Sequence, residues 1–384
     1  MKKYEKLLNY FFNASKLTIA YIIVCCKRKQ NDDSTVLIGG HKGLRYDDNS
    51  RVFYEYLEKT KKYKCYWVCD RNMCDSERER IVGEYLEKAT IKTYVEYLSS
   101  TFVVYSHSLS TDIAPLANRL LRRKRPFLVN VSHGVEGLKK IEDLSKLEYS
   151  DIHLAASNFE KQIKIKNWNI PNSSVYNIGY PRFDLLSTRS YPNKVKNILI
   201  MYTWREWLSD GKEFENNYAE HLVSIISNLK FIEYCKDNQI ILHYILHPFV
   251  DLKNMNLVEA NDVVRLYTGD ISGLISKCDL LVTDYSSVAW DFVYSNKPVL
   301  FNQYDYELYQ LKRGSYFDMD KQLGELRYTD SNKLIDAIMS QDVLGSKCES
   351  RIESLRFKHF SKVDNKNCQR LLKTIEELKY GIDE

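Results

Sequence analysis

The sequence predicts an α/β protein made of two doubly wound domains in series. Its 384 residues are too many for one compact core and suit two domains of ordinary size. Short β-branched segments alternate with helix-patterned segments, and this alternation restarts after about residue 190. The predicted organisation is an amphipathic, membrane-associating segment, a first α/β domain, and a second α/β domain that carries the terminal helices, at residues 1–30, 31–190 and 191–384.

The first domain is predicted from six short apolar segments. The candidate strands are TVLIGG (35–40), KCYWVC (64–69), FVVYSH (102–107), FLVNVSHG (127–134), IHLAAS (152–157) and VYNIG (175–179). The helix pattern SRVFYEYLEKT follows Asp48, Asn49 and Ser50, which are all good N-cap residues. Strands of this kind separated by helices indicate a parallel sheet that is covered on both faces.

The second domain repeats the pattern with five further candidate strands. They are ILIMYT (198–203), IILHYILH (240–247), VVRLYT (263–268), LLVTD (280–284) and PVLFN (298–302). From about residue 331 the chain is helical and charged. Ligands of open α/β sheets bind at the carboxyl ends of the strands, so residues there are the first candidates for a site.

Composition excludes several classes of protein. With 44% hydrophobic residues the chain is folded, and a formal charge of +5 is too small for a dedicated nucleic-acid binder. This charge is compatible with anionic small molecules or an anionic membrane surface. The basic run at 119–126 is either a solvated helix end or a contact for lipid headgroups or an anionic polymer. The nine scattered cysteines form no zinc pattern and indicate reduced thiols in a cytoplasm.

The N-terminal segment predicts an amphipathic helix. Its uninterrupted apolar run, Leu17 to Cys26 with one Thr, is about half of the roughly 20 residues that span a bilayer. An earlier apolar group lies between lysines and contains Leu7, Leu8, Phe11 and Phe12. These features suit a helix that lies in the membrane interface, and the alternative is a helix that docks on the protein.

Two histidines stand at predicted strand ends. FLVNVSHG ends in His133 and Gly134, and a glycine beside a histidine lets a ligand or backbone approach closely. A histidine at this position is often structural, but it is also able to take a proton from an alcohol. In the second domain, Pro248 ends a strand and leaves His247 at its rim, where an imidazole suits phosphate binding and stabilisation of a leaving group.

Hydroxyls crowd the junction between LLVTD and the helix pattern SSVAWDFVYSN. One N-cap requires one side chain, whereas Thr283, Ser286 and Ser287 offer three hydroxyls beside free helical N–H groups. This arrangement predicts a phosphate site, with a simple helix cap as the alternative. Asp284 either orders the turn or touches the ligand. Arg205 in YTWREW predicts a bidentate pyrophosphate clamp, with a surface salt bridge as the alternative.

The sequence lacks the motifs of several common enzyme classes. It contains no G-x-G-x-x-G, no G-x-x-x-x-G-K-[ST] and no G-x-S-x-G, so dehydrogenase, P-loop and serine hydrolase functions lose their main support. Asp318 and Asp320 in YFDMD are the one acidic pair suited to a divalent cation. Two isolated carboxylates are weak support for a metal, so we expect no required metal and no cofactor.

Seven segments in order carry a family resemblance. They are KGLRYDDNSR, VSHGVEGLKKI, IGYPRFDLL, YTWRE, LHPF, DISGLISKCDLLVTDYSSVAWDFVYSNKPVLFNQYD and RGSYFD. This series resembles the CDP-glycerol glycerophosphotransferase family, whose members are bacterial teichoic acid primases and polymerases and related capsule enzymes. The resemblance runs from about residue 36 to residue 320.

The resemblance implies a fold, an activity and a set of site residues. The fold is GT-B, with two Rossmann-like domains facing a central cleft, an acceptor domain first and a CDP-donor domain second. The activity is transfer of glycerol phosphate or ribitol phosphate from a CDP-activated donor to a hydroxyl of a lipid-linked saccharide or polyol phosphate, with release of CMP. The implied residues are His133 as catalytic base, His247 at the donor phosphates, Arg205, Thr283, Asp284, Ser286, Ser287 and Asp291 at the donor, and Gly134 and Arg182 on the acceptor side.

The resemblance also implies partners and leaves alternatives open. Members act peripherally at the cytoplasmic membrane face on undecaprenyl-linked acceptors, so the expected partners are CDP-glycerol or CDP-ribitol, such an acceptor and a membrane surface, without nucleic acid. The length favours a primase or capsule transferase over a large polymerase. Three residues depart from the family pattern: Ser132 before His-Gly, Val135 after it, and Tyr202 before Thr-Trp-Arg. These departures concern which acceptor and which polyol are used. The alternatives are a GT-B sugar transferase using a nucleotide sugar and a non-catalytic, membrane-associated relative.

Overall fold

The chain divides into two compact units, each organised around one sheet. The computed structural model describes residues 2–26, 34–117, 125–141, 143–208, 218–245, 262–267 and 271–381. Unit 1 comprises Met1–His133, Asp143–Asp184 and Asp364–Glu384, and unit 2 comprises Gly134–Glu142 and Leu185–Val363.

Unit 1 contains a seven-stranded sheet in which all described pairs are parallel. Its strands are β1 (Thr35–Ile38), β2 (Lys64–Cys69), β3 (Glu84–Glu87), β4 (Phe102–Tyr105), β5 (Phe127–Asn130), β6 (Ile152–Ala155) and β7 (Val175–Asn177). The strand order is β3-β2-β1-β4-β5-β6-β7. The carboxyl ends of β1, β4 and β5 are therefore neighbours, and the loops that follow these strands meet at one edge of the sheet.

The helices of unit 1 lie mostly between the strands. They are α1 (Lys2–Cys26), α2 (Asp48–Thr60), α3 (Asp75–Arg78), α4 (Ile91–Ser99), α5 (Leu109–Asp112) and α6 (Asn158–Trp168). Short 3-10 helices occur at His41–Gly43, Leu144–Lys146, Asn172–Ser174 and Pro181–Leu185. The N-cap of α2 is Asp47, one residue before the three that the sequence pattern predicted, and its side chain accepts from the N–H of Asp48. Asp48, Asn49 and Ser50 are therefore not needed as caps.

Unit 2 contains a six-stranded sheet that is also parallel in all described pairs. Its strands are β8 (Asn197–Met201), β9 (Ile241–Ile245), β10 (Val264–Tyr267), β11 (Leu280–Thr283), β12 (Val299–Asn302) and β13 (Arg327–Tyr328). They lie in the order β10-β9-β8-β11-β12-β13. The adjacent strands β8, β11 and β12 are fully buried at their centres, as strands covered on both faces should be.

Helices cover this second sheet as well. They are α7 (Tyr218–Val223), α8 (Leu229–Asp237), α9 (Ser272–Lys277), α10 (Val288–Tyr294), α11 (Tyr306–Lys312), α12 (Met319–Leu323), α13 (Ser331–Met339) and α14 (Ser346–His359). Two 3-10 helices, Gly324–Leu326 and Asp342–Leu344, complete the described helical segments of the unit. The core on one face of the sheet combines strand residues such as Ile200, Leu242 and Val282 with helix residues such as Phe231 and Leu334.

Two segments belong to other compact units than the predicted domains would place them in. The terminal helix α15 (Asn367–Tyr380) belongs to unit 1, whereas the sequence analysis assigned it to the second domain. The Asp184 carboxylate holds it there, accepting from the backbone N–H groups of Asn367 and Cys368 at 2.8 Å each. Residues 134–142 belong to unit 2, where the carbonyl of Gly137 accepts from the N–H of Tyr316 at 2.9 Å.

Helix α1 has a docked face and an exposed apolar face. Leu17 and Ala20 are buried in the core of unit 1, where α1 packs against α4, and Lys16 Nζ donates to the Ala89 carbonyl at 2.9 Å. The exposed apolar residues of α1 include Leu7, Leu8, Phe11, Phe12, Ile19 and Ile22. By length and composition alone, the helical segment Leu7–Cys26 would suffice to cross a membrane. This segment is longer than the uninterrupted apolar run Leu17–Cys26.

Candidate active site

Three histidines meet at the edge of the unit 1 sheet. His41 follows β1, His107 follows β4 and His133 follows β5, and these three strands are neighbours. The ring centroids of His107 and His133 are 3.5 Å apart, and those of His41 and His133 are 4.9 Å apart. The parallel sheet thus brings together three imidazoles that are separated by up to 92 residues in the chain, from His41 to His133.

The backbone around the three histidines is strained. His41, Lys42, Asp48 and Ser132 all have positive φ, at 48°, 59°, 65° and 52°. Non-glycine residues adopt the left-handed region rarely, and such residues concentrate at functional sites, where the surrounding structure holds them in place. These turns end β1 and β5 sharply and direct His41 and His133 to the same point.

Asp48 orients the imidazole of His133. Its Oδ2 lies 2.9 Å from Nδ1 of His133, and its Oδ1 accepts from Nη1 of Arg182 at 2.9 Å. Burial by itself would raise the pKa of Asp48, but Arg182 and the hydrogen bond with His133 outweigh burial and hold that pKa well below its usual range. Asp48 is therefore ionised at neutral pH and acts as a hydrogen-bond acceptor.

Asn49 and Arg182 fix the loop that carries His133. The Asn49 amide is buried, donates to the carbonyls of Val131 and Ser132 at 3.3 and 3.0 Å, and accepts from the N–H of Arg182 at 3.0 Å. The Arg182 guanidinium also donates to the carbonyl of His133. The acceptor-side role that the sequence predicts for Arg182 stays a prediction, and the structure adds this positioning role.

The other ring nitrogen of His133 is available for chemistry. Because an ionised carboxylate can only accept, Nδ1 of His133 is assigned as the N–H donor to Asp48, which leaves the lone pair on Nε2. Nε2 is shielded from solvent and has no hydrogen-bond partner among the described residues. A histidine held by a carboxylate, with its second nitrogen unoccupied, is the arrangement of a general base.

The two other histidines are held neutral. Burial, reinforced by the neighbouring His133, lowers the pKa of His41 to about 4. Burial also lowers the pKa of His107, although Asp112 partly opposes the shift. Asp112 is itself buried, yet hydrogen bonds from His107 and from the backbone N–H groups of His107 and Lys42 lower its pKa to about 2. At neutral pH the three rings are therefore flanked by two ionised carboxylates.

Unit 2 also brings charged residues together at strand ends. Arg205 follows β8, Asp284 follows β11 and Asp305 follows β12. Arg205 Nη1 donates to Asp284 Oδ2 at 2.7 Å, and Nε and Nη2 donate to the two oxygens of Asp305 at 2.7 and 3.0 Å. Nη1 also donates to the Thr203 carbonyl at 2.7 Å. Four of the five guanidinium N–H groups are therefore used inside the protein.

Tyrosine rings complete the surroundings of Arg205. Its guanidinium carbon lies 5.1 to 5.7 Å from the ring centroids of Tyr218, Tyr285, Tyr304 and Tyr309. The rings of Tyr285 and Tyr309 stack at a centroid distance of 3.4 Å. A guanidinium that pairs with two carboxylates and lies among aromatic rings holds several loops in place. The donor-clamping role that the sequence predicts for Arg205 stays a prediction.

The predicted donor residues near β11 differ in how their side chains are used. Thr283 Oγ1 donates to the Met201 carbonyl at 2.6 Å, and Asp284 accepts from the N–H groups of Thr203 and Tyr285 at 2.9 and 2.6 Å. Both side chains therefore hold the loops after β8 and β11 together. Asp291 is buried on α10.

The hydroxyls of the two serines at the start of α10 are less engaged in hydrogen bonds than Thr283 and Asp284 are. Ser286 Oγ accepts from the N–H of Val288 at 3.4 Å, which is a long hydrogen bond. Ser287 occupies the N-cap position, but its side chain makes no capping hydrogen bond, and it is partly exposed. The simple helix-cap interpretation therefore fits Ser286 weakly and does not fit the Ser287 hydroxyl.

The remaining predicted residues are placed as follows. His247 lies outside the described residues, as do residues 119–124 of the basic run. Gly134 is buried at the start of unit 2. Asp318 caps α12 through the N–H of Lys321, and Asp320 pairs with Arg327, so both carboxylates of the acidic pair have structural partners.

Sequence reasoning missed several residues of the two clusters. His41 and His107 were not singled out, although both stand at or next to the end of a predicted strand, as His133 does. Asp48 was assigned to a cap, and Asp112 and Asp305 were not considered. A signal for the histidines existed: each directly follows an apolar strand, and doubly wound sheets place such ends side by side.

The chain belongs to a known transferase family. Residues 19–377 match the family model described as CDP-Glycerol:Poly(glycerophosphate) glycerophosphotransferase. This match covers most of the chain and confirms the resemblance that the seven segments carry.

The chain matches part of two longer curated relatives. It is 25% identical over 357 residues to the minor teichoic acid biosynthesis protein GgaB of Bacillus subtilis, covering 86% of this chain and 38% of GgaB. It is 25% identical over 378 residues to the teichoic acid poly(glycerol phosphate) polymerase of Staphylococcus epidermidis, covering 86% of this chain and 48% of that polymerase. The chain spans less than half the length of these two relatives.

A solved structure matches the fold along the whole chain. The wall teichoic acid polymerase TagF aligns with a TM-score of 0.71 over 99% of this chain and 98% of that chain, at 18% identity. An identity this low speaks to the fold alone. Together with the two parallel sheets it confirms the predicted GT-B class of α/β fold.

Proposed function

We propose that the chain transfers glycerol phosphate or ribitol phosphate from a CDP-activated donor to a hydroxyl of a lipid-linked saccharide or polyol phosphate, with release of CMP. Family membership supports the CDP-polyol donor class, because the family description itself names CDP-glycerol. The observation that carries the chemistry is the Asp48–His133 pair, which orients one imidazole and leaves its Nε2 unoccupied among the described residues.

His133 is the general base of the proposed reaction. Its Nε2 takes the proton of the acceptor hydroxyl while the hydroxyl oxygen attacks the β-phosphorus of the donor. A new phosphorus–oxygen bond forms, the bond to the bridging oxygen breaks, and CMP leaves with that bonding pair. Asp48 stabilises the imidazolium that forms, because its ionised carboxylate already accepts the Nδ1–H. Catalysis of phosphoryl transfer depends chiefly on such positioning and charge stabilisation.

Residues of unit 2 bind the donor in this proposal. The Ser287 hydroxyl and the first N–H groups of α10 bind pyrophosphate oxygens, supported by the absence of a capping bond from Ser287. His247 assists them as the family motif implies. Arg205 and Asp284 contribute indirectly, because their ion pair holds together the loops after β8 and β11, and the second loop leads into α10. Asp291, the donor residue that the family motif implies on this helix, is buried. Thr283 fixes β11 to the neighbouring strand.

The acceptor is lipid-linked in this proposal, and the chain acts peripherally at the cytoplasmic membrane face. The exposed apolar face of α1, with Leu7, Leu8, Phe11 and Phe12, supports insertion into the interface. The opposite face cannot face lipid at the same time, because Leu17 and Ala20 are buried against unit 1. This two-faced packing favours a helix lying on the membrane over one that crosses it.

The deciding experiment follows CMP release. Purified protein is incubated with CDP-glycerol or CDP-ribitol, each with a lipid-linked disaccharide in vesicles, and CMP is quantified. We expect release with one CDP-polyol that depends on the acceptor and is lost in His133→Gln. Release with the wild type but equal release with His133→Gln would remove His133 from the base role.

Two rival functions give different results in the same assay. A sugar transferase of the same fold would be inactive with both CDP-polyols and would release a nucleotide from a nucleotide sugar. A non-catalytic relative would release no nucleotide from any donor, yet would still bind vesicles through α1. Either result would reject the proposed transfer.

A further inference from the structure

The three histidines of unit 1 have a geometry that the proposed transfer does not use. Phosphoryl transfer requires Nε2 of His133, but it does not require His41 or His107. Nonetheless, one ring nitrogen from each of the three residues lies within 4.8 Å of the other two. We propose that His41, His107 and His133 form a binding site for a transition-metal ion of the Zn²⁺ class, and that the bound ion blocks Nε2 of His133.

The ligand atoms suit such an ion. Zn²⁺ binds imidazole nitrogens at about 2.0–2.1 Å in tetrahedral geometry, which places the nitrogens about 3.3 Å apart. The observed separation of up to 4.8 Å is larger, so the rings must move closer together to bind an ion, and His107 is exposed enough to rotate. Imidazole is a preferred ligand for Zn²⁺ and its neighbours in the series, whereas Mg²⁺ and Ca²⁺ prefer oxygen ligands.

Two carboxylates lie beside histidines of the cluster, Asp48 beside His133 and Asp112 beside His107. Metal-bound histidines usually donate their other ring N–H to a carboxylate, which fixes the ring and its tautomer. Asp48 lies 2.9 Å from Nδ1 of His133, and Asp112 lies 3.7 Å from Nδ1 of His107. The hydrogen bond to Asp48 leaves Nε2 of His133 as its binding nitrogen. His41 Nε2 is likewise shielded and has no hydrogen-bond partner within the described parts of the chain.

Asp112 also joins the loops that carry two of the ligands. Its Oδ1 accepts from the N–H of Lys42 at 2.9 Å, next to His41, and its Oδ2 accepts from the N–H of His107 at 2.7 Å. The loops after β1 and β4 are thus held together by one buried carboxylate. The site is preorganised, because this carboxylate already fixes the backbone next to His41 and at His107.

Metal binding and base catalysis compete for one lone pair. Nδ1 of His133 is engaged by Asp48, so both a metal ion and the acceptor proton must use Nε2. An ion at this site therefore inhibits the transfer. The inhibition, unlike the binding, rests on the proposed function.

The binding test uses the chain of residues 1–384 without its exposed thiols. Cys25, Cys26 and Cys74 are exposed thiols that would compete for the ion, so all three are replaced by Ser. Co²⁺ serves as the probe, because nitrogen ligation gives a visible d–d band and thiolate ligation adds a sulfur-to-cobalt charge-transfer band. We expect one Co²⁺ per chain with the first band and without the second, displaceable by Zn²⁺.

Variants at the cluster show which residues bind the ion. His41→Gln and His107→Gln should each weaken binding by at least about 100-fold, and Asp112→Asn by about 10- to 100-fold. The matched control is His221→Gln, a histidine of unit 2 that stacks on Tyr304, which should bind as the parent does. No ion bound by the parent, or unchanged affinity in both cluster variants with native circular dichroism, would overturn the site.

Inhibition is measured as CMP release against free Zn²⁺, each variant relative to its own metal-free rate. The half-inhibiting concentration should rise in His41→Gln by the same factor as the binding constant. Full activity with the site saturated would refute the competition for Nε2. Ion binding in a protein that releases no CMP would instead reject the proposed transfer and leave the metal site standing, so the two failures are distinguishable.

Discussion

The two units carry clusters of ionisable residues at corresponding strand ends and use them differently. In unit 1 the residues follow the neighbouring strands β1, β4 and β5, and in unit 2 they follow the neighbouring strands β8, β11 and β12. The His133 side chain is 34% exposed, whereas the Arg205 side chain is 1% exposed between two carboxylates. The first cluster leaves a nitrogen available, and the second uses its charges to hold loops.

This difference teaches how to separate reactive groups from structural ones. Both clusters contain side chains that are chemically capable, and both occupy the carboxyl edge of a parallel sheet, where ligands bind. The distinguishing feature is whether a side chain keeps a hydrogen-bonding group that no other described residue binds. His133 has one nitrogen without a partner among the described residues, whereas four of the five N–H groups of Arg205 are bound.

Removing the available nitrogen should give the largest effect. His133→Gln should lower the rate of CMP release by about 10²- to 10⁴-fold, which is the usual contribution of a general base. Donor binding, measured by equilibrium dialysis with the CDP-polyol, should be retained. His221→Gln serves as the control and should keep the wild-type rate. If both variants turned over equally, the imidazole of His133 would have no part in the chemistry.

Breaking the buried ion pairs of unit 2 should affect stability instead. Arg205→Met leaves Asp284 and Asp305 without their main partner, and removing one member of a buried pair costs about 3–5 kcal/mol. Urea unfolding followed by circular dichroism measures this loss. Arg313→Met, which breaks the more exposed pair with Glu206, is the matched control and should cost about 1 kcal/mol or less.

The opposite outcome for Arg205 would restore the interpretation from the sequence. A variant Arg205→Met that unfolds at the same urea concentration as the wild type, but binds the donor more weakly, would identify the guanidinium as a donor clamp. The two clusters would then not differ in this respect, because each would contain a side chain that binds a ligand.

The histidine cluster should make stability depend on pH between about 4 and 6.5. The pKa of His41 is lowered to about 4, so below pH 6.5 the unfolded chain takes up a proton that the native state does not accept. The free energy of unfolding should therefore fall as the pH falls through this range, by at most about 3 kcal/mol from this residue. His41→Gln should flatten the curve measured by urea unfolding, and parallel curves for variant and wild type would contradict the buried, neutral state of His41.

The sequence predicted eleven of the thirteen described strands and missed one edge strand in each sheet. Glu84–Glu87 lies at one edge with three of its four residues exposed, so the apolar pattern that indicates a strand is absent. Arg327–Tyr328 lies at the edge of the other sheet and has two residues, which is too short for any periodicity. Their backbone pairing, and not their side chains, makes them strands.

The sites were predicted in part, for a related reason. His133 was identified from its position at a strand end. That His41 and His107 lie next to it follows only from the strand order β1-β4-β5. The pairing of Arg205 with Asp284 and Asp305 joins residues 79 and 100 positions apart. Such long-range pairs decide whether a charge is free for a ligand, and composition and spacing along the chain do not contain them.

The smallest predicted effect concerns the two serines at the start of α10. It tests whether unit 2 also has a hydroxyl that is available to bind the donor. A hydrogen bond from a hydroxyl to a charged phosphate contributes about 1.5–3 kcal/mol, so Ser287→Ala should raise the donor KM by about 10-fold or more. Ser287 makes no capping bond, so its removal should leave the free energy of unfolding within about 0.5 kcal/mol of the wild type.

Ser286→Ala is the matched control, because Ser286 lies next in the chain and its hydroxyl already accepts from the N–H of Val288. It should change the donor KM less than Ser287→Ala and the stability more. If instead the two variants changed stability alike and left the donor KM unchanged, both serines would be part of the helix end only, and the donor phosphates would have to be bound elsewhere in unit 2. The contrast between the units would then become sharper, with unoccupied polar groups confined to the histidine cluster of unit 1.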